Sequence, residues 1–338
     1  MKKITIYFAL LFLIFFSACS NDLVLNDAPK EIPIVYGFLS RSDTAQYIRI
    51  EKAFISNAVG APELAKDPNQ LYFNDISAEI LDVEANKSYK LTRVDAEKEG
   101  FKRQSGTFAT TPNYLYKIKT ANISLRENKT FRLVVKKNDG TVLTEANTVV
   151  LPDMKYEEPE PRELNLATSF LVTWTSIDYR PSKIYDVIYH INVEERVPTE
   201  TTWVSVKGLD WTLVRGFLPT SSDFNPNLNR VSFRQKDVNA FYSFLATNLD
   251  KDKKVVRKLR GIDVEVIAAG DDLYQYLNVS SINSGITGTE VLPTYSNVKG
   301  GYGILSSRNR FISKDLGIGQ RSLDSLLRGK FTKPLNFQ

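Results

Sequence analysis

Cysteine is nearly missing from this sequence: Cys19 is the single example in 338 residues. No second thiol exists to pair with it inside the chain, so core and ladders must hold the fold without a disulfide. Histidine is as scarce, with His190 alone. Histidine–metal clusters and histidine-based triads need partners that this composition does not supply. No metal or other cofactor is expected. Charge is nearly balanced, with 44 Lys and Arg against 39 Asp and Glu. The formal value is +5, and nearer +3 if Lys2 and Lys3 leave with a leader. That excess is too small to point to nucleic acid. After residue 16 there is no apolar run long enough to span a bilayer. No internal repeat of fixed short period stands out.

Catalytic signatures are short as well. Ser281-Ile282-Asn283-Ser284-Gly285 lacks the first glycine of a nucleophile elbow. Gly300-Gly301-Tyr302-Gly303 lacks both the GK[ST] ending and the third glycine of a nucleotide fingerprint, so it reads as a turn or bulge. Asn248, Asp250 and Asp252 have the alternating oxygens of a calcium loop, but neither its glycine at position 6 nor its acid at position 12. Acidic pairs such as Glu194-Glu195 and Asp271-Asp272 could in principle cleave glycosides. Solvated strand ends and helix caps explain them more simply.

What the chain does have begins at its start. Lys2 and Lys3 precede an apolar run over residues 4–16, and Phe16-Ser17-Ala18-Cys19 follows. The run is shorter than the roughly 20 residues that a transmembrane helix needs. A basic start, a short apolar segment and small residues make an export leader. A thiol directly after Ala18 is the layout of a lipoprotein signal, in which Cys19 is acylated. Stable anchoring takes more than one acyl chain. The expectation is a signal peptide over 1–18, lipidation at Cys19 and membrane attachment through it. Ser20 follows Cys19, where an aspartate would resemble an inner-membrane retention signal, so the outer membrane is the expected address. Which face of that membrane is occupied stays open.

The rest divides by pattern. Residues 19–31 are polar with Pro29 and read as a tether. From 32 to 152, strand signals recur at 34–36, 47–54, 76–83, 89–94, 114–120, 130–136 and 142–150. Ile48, Ile50 and Phe54 share one face, and Tyr47, Arg49 and Glu51 the other, which is the period of a half-buried strand. Residues 56–74 read as a long loop. Asn138-Asp139-Gly140 marks a hairpin. Short strands at this spacing predict an immunoglobulin-like β-sandwich. Residues 153–164, rich in Pro and Glu, read as a stiff solvated linker. Residues 165–338 then predict a fibronectin-like, β-rich second domain with a few short helices. Its Trp174 strand precedes an alternating strand over 185–191, a helix over 236–249, another alternating segment over 261–269 and a short helix from Asp271. A final strand is expected over 300–305 and a helical turn over 324–327. The fold class is therefore mainly β.

Several surface features are candidates. Trp203 and Trp211 lie close together in a Thr-rich stretch and could form a ligand surface, with core packing the alternative. Lys251, Lys253, Lys254, Arg257, Lys258 and Arg260 form a basic cluster, read as a solvated loop or, alternatively, as a contact for lipid phosphates. His190 reads as a structural or surface residue. Asp43-Thr44-Ala45 and Asp324-Ser325-Leu326 match a short O-glycosylation pattern, making Thr44 and Ser325 possible acceptors.

Taken in order, Val35-Tyr36-Gly37-Phe38-Leu39, Tyr47-Ile48-Arg49-Ile50, Asn147-Thr148-Val149-Val150-Leu151-Pro152, the Trp174 strand, Asp272-Leu273-Tyr274-Gln275-Tyr276-Leu277 and Asn297-Val298-Lys299-Gly300-Gly301-Tyr302-Gly303-Ile304 follow the leader. In this order the chain resembles a Bacteroidota outer-membrane lipoprotein family catalogued as a domain of unknown function. The resemblance implies a lipid-anchored β-sandwich protein, often encoded near TonB-dependent transporters, with no catalytic residues to carry over. The expected function is non-enzymatic binding of a ligand or protein partner, as an accessory to an outer-membrane β-barrel transporter. A structural role in the envelope and a carboxylate-based glycan hydrolase are the alternatives.

Overall fold

A computed structural model describes residues 31–53, 61–158, 164–176, 182–282 and 295–338. The expected leader, Cys19 and the expected tether up to residue 30 lie outside the described residues. The first half contributes β1 (Pro33–Leu39), β2 (Ala45–Lys52), β3 (Ile76–Asp82), β4 (Lys87–Lys90), β5 (Thr92–Asp95), β6 (Tyr114–Lys119), β7 (Thr130–Lys137) and β8 (Val142–Val149). Then come β9 (Met154–Glu158), β10 (Phe170–Ser176), β11 (Ser182–Arg196), β12 (Val204–Val206), β13 (Asp210–Phe217), β14 (Phe224–Asn225), β15 (Arg230–Gln235), β16 (Val256–Gly270), β17 (Val298–Lys299) and β18 (Tyr302–Leu316). Among the described residues the α-helices are short: α1 (Ala61–Leu64), α2 (Pro68–Leu71), α3 (Ala240–Asn248), α4 (Asp271–Ile282) and α5 (Gln320–Arg328). The fold is mainly β, as the sequence predicts.

Alternation builds the first core. In β2, Ile48 and Ile50 are buried while Tyr47 and Arg49 on the other face are only partly covered. β1, β2, β5 and β6 lie in a nine-stranded sheet, and β17, β8, β7, β3 and β4 form a five-stranded one. Val35, Leu39, Ile48 and Ile50 from the former share one buried cluster with Ile80, Phe131, Leu133 and Val135 from the latter. The predicted hairpin joins β7 to β8: Gly140 takes φ +86°, and the Asp139 carboxylate accepts from the Thr141 amide at 2.8 Å.

Two expectations for this half need correction. The single strand over 89–94 is two strands in different sheets. β4 pairs with β3 (Glu79↔Lys90), and β5 pairs with β6 (Thr92↔Lys117). The chain crosses between layers at buried Leu91, as strands do at a sandwich corner. Within 56–74, the described part is not all loop, because α1 and α2 occupy it, and the Asp67 side chain caps α2.

The second core lies between β11, β16 and the later part of β18 on one side and the sheet β14-β15-β10-β9 on the other. Trp174, Tyr185 and Tyr189 are buried there with Val264 and Val266. Residues 154–158 of the expected linker are strand β9, which pairs with β10 and buries Met154. The free ladder edge of β10 accepts that segment. Residues 159–163 lie outside the described residues. α3 falls inside the predicted helix, and α5 extends the predicted last turn.

The largest departure is β18. Its first part runs parallel to β1, from Ile34↔Tyr302 to Leu39↔Ser307. Its second part runs antiparallel to β16, from Ala269↔Arg308 to Ile262↔Leu316. One 15-residue strand thus stitches both cores into a single sheet. Polar side chains secure the crossing. Ser307 Oγ donates to Leu39 O at 2.9 Å and accepts from Leu151 N at 2.9 Å. Asn309 Nδ2 donates to Pro152 O at 2.8 Å. Buried polar groups of this kind stabilise only when their partners are in place.

Candidate functional site

One face of the nine-stranded sheet is consumed by the two cores. The other face carries the candidate site. β16 ends at Gly270 and α4 starts at Asp271, so the chain turns from strand straight into helix, and α4 packs against β11, β16 and β18. Leu273 and Leu277, one turn apart, share a side of α4. Together with Phe38, Ile184, Ile267 and Ala269 they line a cleft of about 520 Å³. Arg215, Gly216, Asp186 and Arg308 also line it.

A second hollow of about 290 Å³ adjoins the first and shares Phe38 and Arg308 with it. Tyr36, Tyr47 and Phe101 supply its aromatic surface, with Arg49 and Asp43. Tyr36 meets Tyr276 of α4 edge-on, with ring centroids 6.4 Å apart. Burial and the hydrogen bond with Tyr276 push the Tyr36 phenol up to about 12, so it stays a neutral donor. Tyr47 donates to Glu99 Oε2 at 2.9 Å and stacks edge-on with Phe101 at 5.0 Å. Arg49 and Arg103 both bind the largely buried Glu51 carboxylate.

A relay of charges crosses the same face. Asp210 Oδ1 lies 2.7 Å from His190 Nδ1, and His190 Nε2 lies 3.1 Å from Glu265 Oε2. Arg310 donates to Glu265 Oε1 at 3.2 Å, and Arg308 donates to Asp43 Oδ2 at 2.8 Å. His190 is thus a structural group with both ring nitrogens engaged. Burial disfavours its charged form, but the hydrogen bonds that the charged ring donates to Asp210 and Glu265 outweigh that, and its pKa rises above the ordinary 6.5. A histidine raised in the native state contributes stability that is complete below its unfolded pKa and fades as pH climbs through the native one. Wild type should therefore lose more thermal stability than His190→Gln between pH 5 and pH 8. Parallel melting curves for the two proteins would refute this.

The residues singled out from sequence fare differently. Cys19 lies outside the described residues. Thr44 is exposed just before β2, with Thr44 O accepting from Thr120 N at 2.9 Å. Its neighbour Asp43 is held by Arg308. Ser325 sits within α5, half-buried, and its hydroxyl donates to Arg321 O at 3.0 Å. Trp211 is not a surface residue: it packs in the second core against Tyr189, Phe241 and Phe244. The inward phase of β13 decides this. Trp203 is half-buried with three cations within 6 Å of its ring: Arg196, Lys258 and Arg260. Such contacts are worth about 0.5–1 kcal/mol each at exposed sites. The two tryptophans therefore do not form one surface.

The basic cluster is also not wholly solvated. Arg257 is buried and donates to Leu335 O and Asp250 O, with Glu195 as its counter-ion. Lys253 pairs with Glu195, and Arg260 with Glu194. Among the described residues no group of three or more His, Cys, Asp or Glu is placed to hold a metal ion. Among them, too, no helix is long and apolar enough to cross a membrane. Arg215, Arg308, Phe38, Leu273 and Leu277 carry no local signal that would single them out. They meet only because β1, β13, β18 and α4 converge.

A mainly β protein with several sheets, sharing one long strand between two cores and bearing an outer-face cleft, is the class defined here. The family described as Domain of unknown function (DUF4249) matches residues 22–311, and the chain belongs to it. No curated protein matches the sequence. Among solved structures, a trypsin-activated alpha-2-macroglobulin from Escherichia coli is similar at 9% identity and a TM-score of 0.19, over 72% of this chain and 14% of that one. CBD12 from CALX1.2 is similar at 8% identity and a TM-score of 0.21, over 81% of this chain and 98% of that one.

Proposed function

We propose that this protein is a non-enzymatic, lipid-anchored component of a Bacteroidota outer membrane that binds a ligand or protein partner beside a TonB-dependent transporter. The cleft between α4 and the outer sheet face is the observation that carries the binding role. It offers a concave apolar floor with a few polar groups, the usual make-up of a small-molecule site. The leader and Cys19 support the anchor. The sole histidine has both ring nitrogens held by carboxylates, which favours structure over proton transfer.

Two acyl chains would contribute roughly 0.8 kcal/mol per buried methylene, enough for lasting attachment. Replacing Cys19 with Ser is expected to move the protein from the membrane pellet to the soluble fraction and to end incorporation of labelled palmitate. Unchanged fractionation would remove the anchor from the proposal. Detergent-solubilised protein should recover an outer-membrane β-barrel partner or a retained small molecule. Repeated recovery of the chain alone would count against the binding role.

A further inference from the structure

The floor of the outer-face cleft is apolar: Phe38, Ile184, Ile267, Ala269, Leu273 and Leu277. Leu277 is left 48% exposed. Beside this floor sit two arginines and one carboxylate, Arg215, Arg308 and Asp186. Asp186 Oδ1 accepts from Gly216 N at 2.7 Å. Arg308 is bound to Asp43 at 2.8 Å. Arg215 has no ion pair or hydrogen-bond partner among the described residues.

The position of Arg215 has a backbone cause. Tyr185 pairs with Phe217 and Val187 with Val214, so Arg215 and Gly216 oppose the single residue Asp186. Gly216 adopts φ +63°, a conformation open to glycine. This is a β-bulge, and bulges re-aim side chains beside binding sites. The result is an exposed cation at the border of an apolar cleft, with one oxygen of the lining carboxylate Asp186 held by a backbone amide.

We propose that the cleft binds a single-chain anionic amphiphile, with its aliphatic body on the Leu273–Leu277 floor and its carboxylate on Arg215. This rests on the reading of the face as a ligand site. A wholly apolar ligand would make no use of the Arg215 guanidinium at the cleft border. A sugar would leave the leucine and isoleucine floor wet. A guanidinium offers paired N–H donors that match both oxygens of a carboxylate. The cleft volume of about 520 Å³ lies within the range of small-molecule sites, roughly 300–1,000 Å³.

The test is calorimetric titration of the mature chain carrying Cys19→Ser, which has no acyl group of its own, with laurate, decanoate and 1-dodecanol. Laurate is expected to saturate one site. Decanoate, two methylenes shorter, should bind about tenfold more weakly. Dodecanol should bind laurate's site at least about tenfold more weakly, since a charge-assisted hydrogen bond is lost. Arg215→Ala should erase the preference for laurate over dodecanol. Leu273→Trp, which fills the floor, and Leu277→Arg, at an exposed position that tolerates charge, should each abolish saturable binding of both. Equal affinity for laurate and dodecanol, or an unchanged preference in Arg215→Ala, overturns the anionic-head inference and leaves the ligand site standing. Absent or non-saturable laurate binding overturns the amphiphile inference. Binding that survives both floor variants overturns the ligand-site reading as well.

Discussion

A chain ended after Asn297 should leave the first half unfolded along with the second. The missing residues include β17, β18 and α5. β1 would lose its parallel partner from Tyr302 to Ser307, and β8 would lose the partner strand at Ala146. Val298 and Leu305 would vanish from a cluster that contains Val35, Leu39 and Phe131. Leu39 O and Leu151 N would lose the Ser307 hydroxyl that satisfies both. Removing one buried large aliphatic side chain costs about 2–5 kcal/mol. Each unsatisfied buried polar group adds about 1–3 kcal/mol. Against a total stability of about 5–15 kcal/mol, the first half does not survive. Near-UV circular dichroism and urea titration of the truncated protein provide the measurement. A cooperative transition with native near-UV signal would sink the expectation. A peptide covering residues 298–309, added in trans, should restore protease resistance to the first half of the truncated chain only, because it supplies the parallel neighbour that β1 has lost. The second half fails for a parallel reason. It loses Leu316, Leu326 and Leu335 from its own cluster and the β18 edge from β16.

Gly303→Ala should destabilise the protein by about 3 kcal/mol or more, an unusually large effect for adding one methyl group. Gly303 stands opposite Val35 in the parallel ladder and takes φ +98°. A Cβ there would lie 2.0 Å from Val35 O and 2.9 Å from Val35 C. Both are backbone atoms of a strand buried in the first core, so no side-chain rotation relieves the clash. Either β18 leaves β1 or the crossing of the two halves shifts. Gly300→Ala is the matched control. It also has positive φ, +71°, but nothing lies within 4 Å of a Cβ built there. Its expected cost is only the conformational strain, about 1 kcal/mol. Urea denaturation of both variants separates the effects. Equal midpoints would mean that the close approach at Gly303 does not constrain the strand.

These two expectations show where local reasoning reaches and where it stops. β2, β3, β7 and β8 were legible because apolar residues alternate along them and the turn between the last two carries Asn138-Asp139-Gly140. The Trp174 strand and the helix around Phe241 and Leu245 were legible for the same reason. β18 was legible only over its first turn of residues. From Ser306 to Arg310 the chain reads Ser-Ser-Arg-Asn-Arg, which has the look of a surface loop. It is strand because the Leu39 carbonyl, the Leu151 amide and the Pro152 carbonyl need those hydroxyl and amide groups. The division at Leu91 was hidden likewise. Residues 89–94 hold no glycine, proline or other turn residue, so they read as one strand, and only the corner of the sandwich sends Lys90 and Thr92 to different sheets. Trp211 could not be distinguished from Trp203 by composition, since each sits among threonines and valines; the phase of β13 buries one and the cations of β11 and β16 surround the other.

Periodicity and turn chemistry are properties of neighbours in the chain, so a mainly β fold could be read one short window at a time. The cleft and the shared strand could not, because they depend on groups that meet from opposite ends of the protein. Ser307 reaches Leu39 across 268 residues. Phe38, Arg215 and Leu277 converge on one hollow from β1, β13 and α4. Closing such distances is settled by which buried donors, acceptors and apolar faces satisfy one another at once. No stretch of the chain carries that information in isolation.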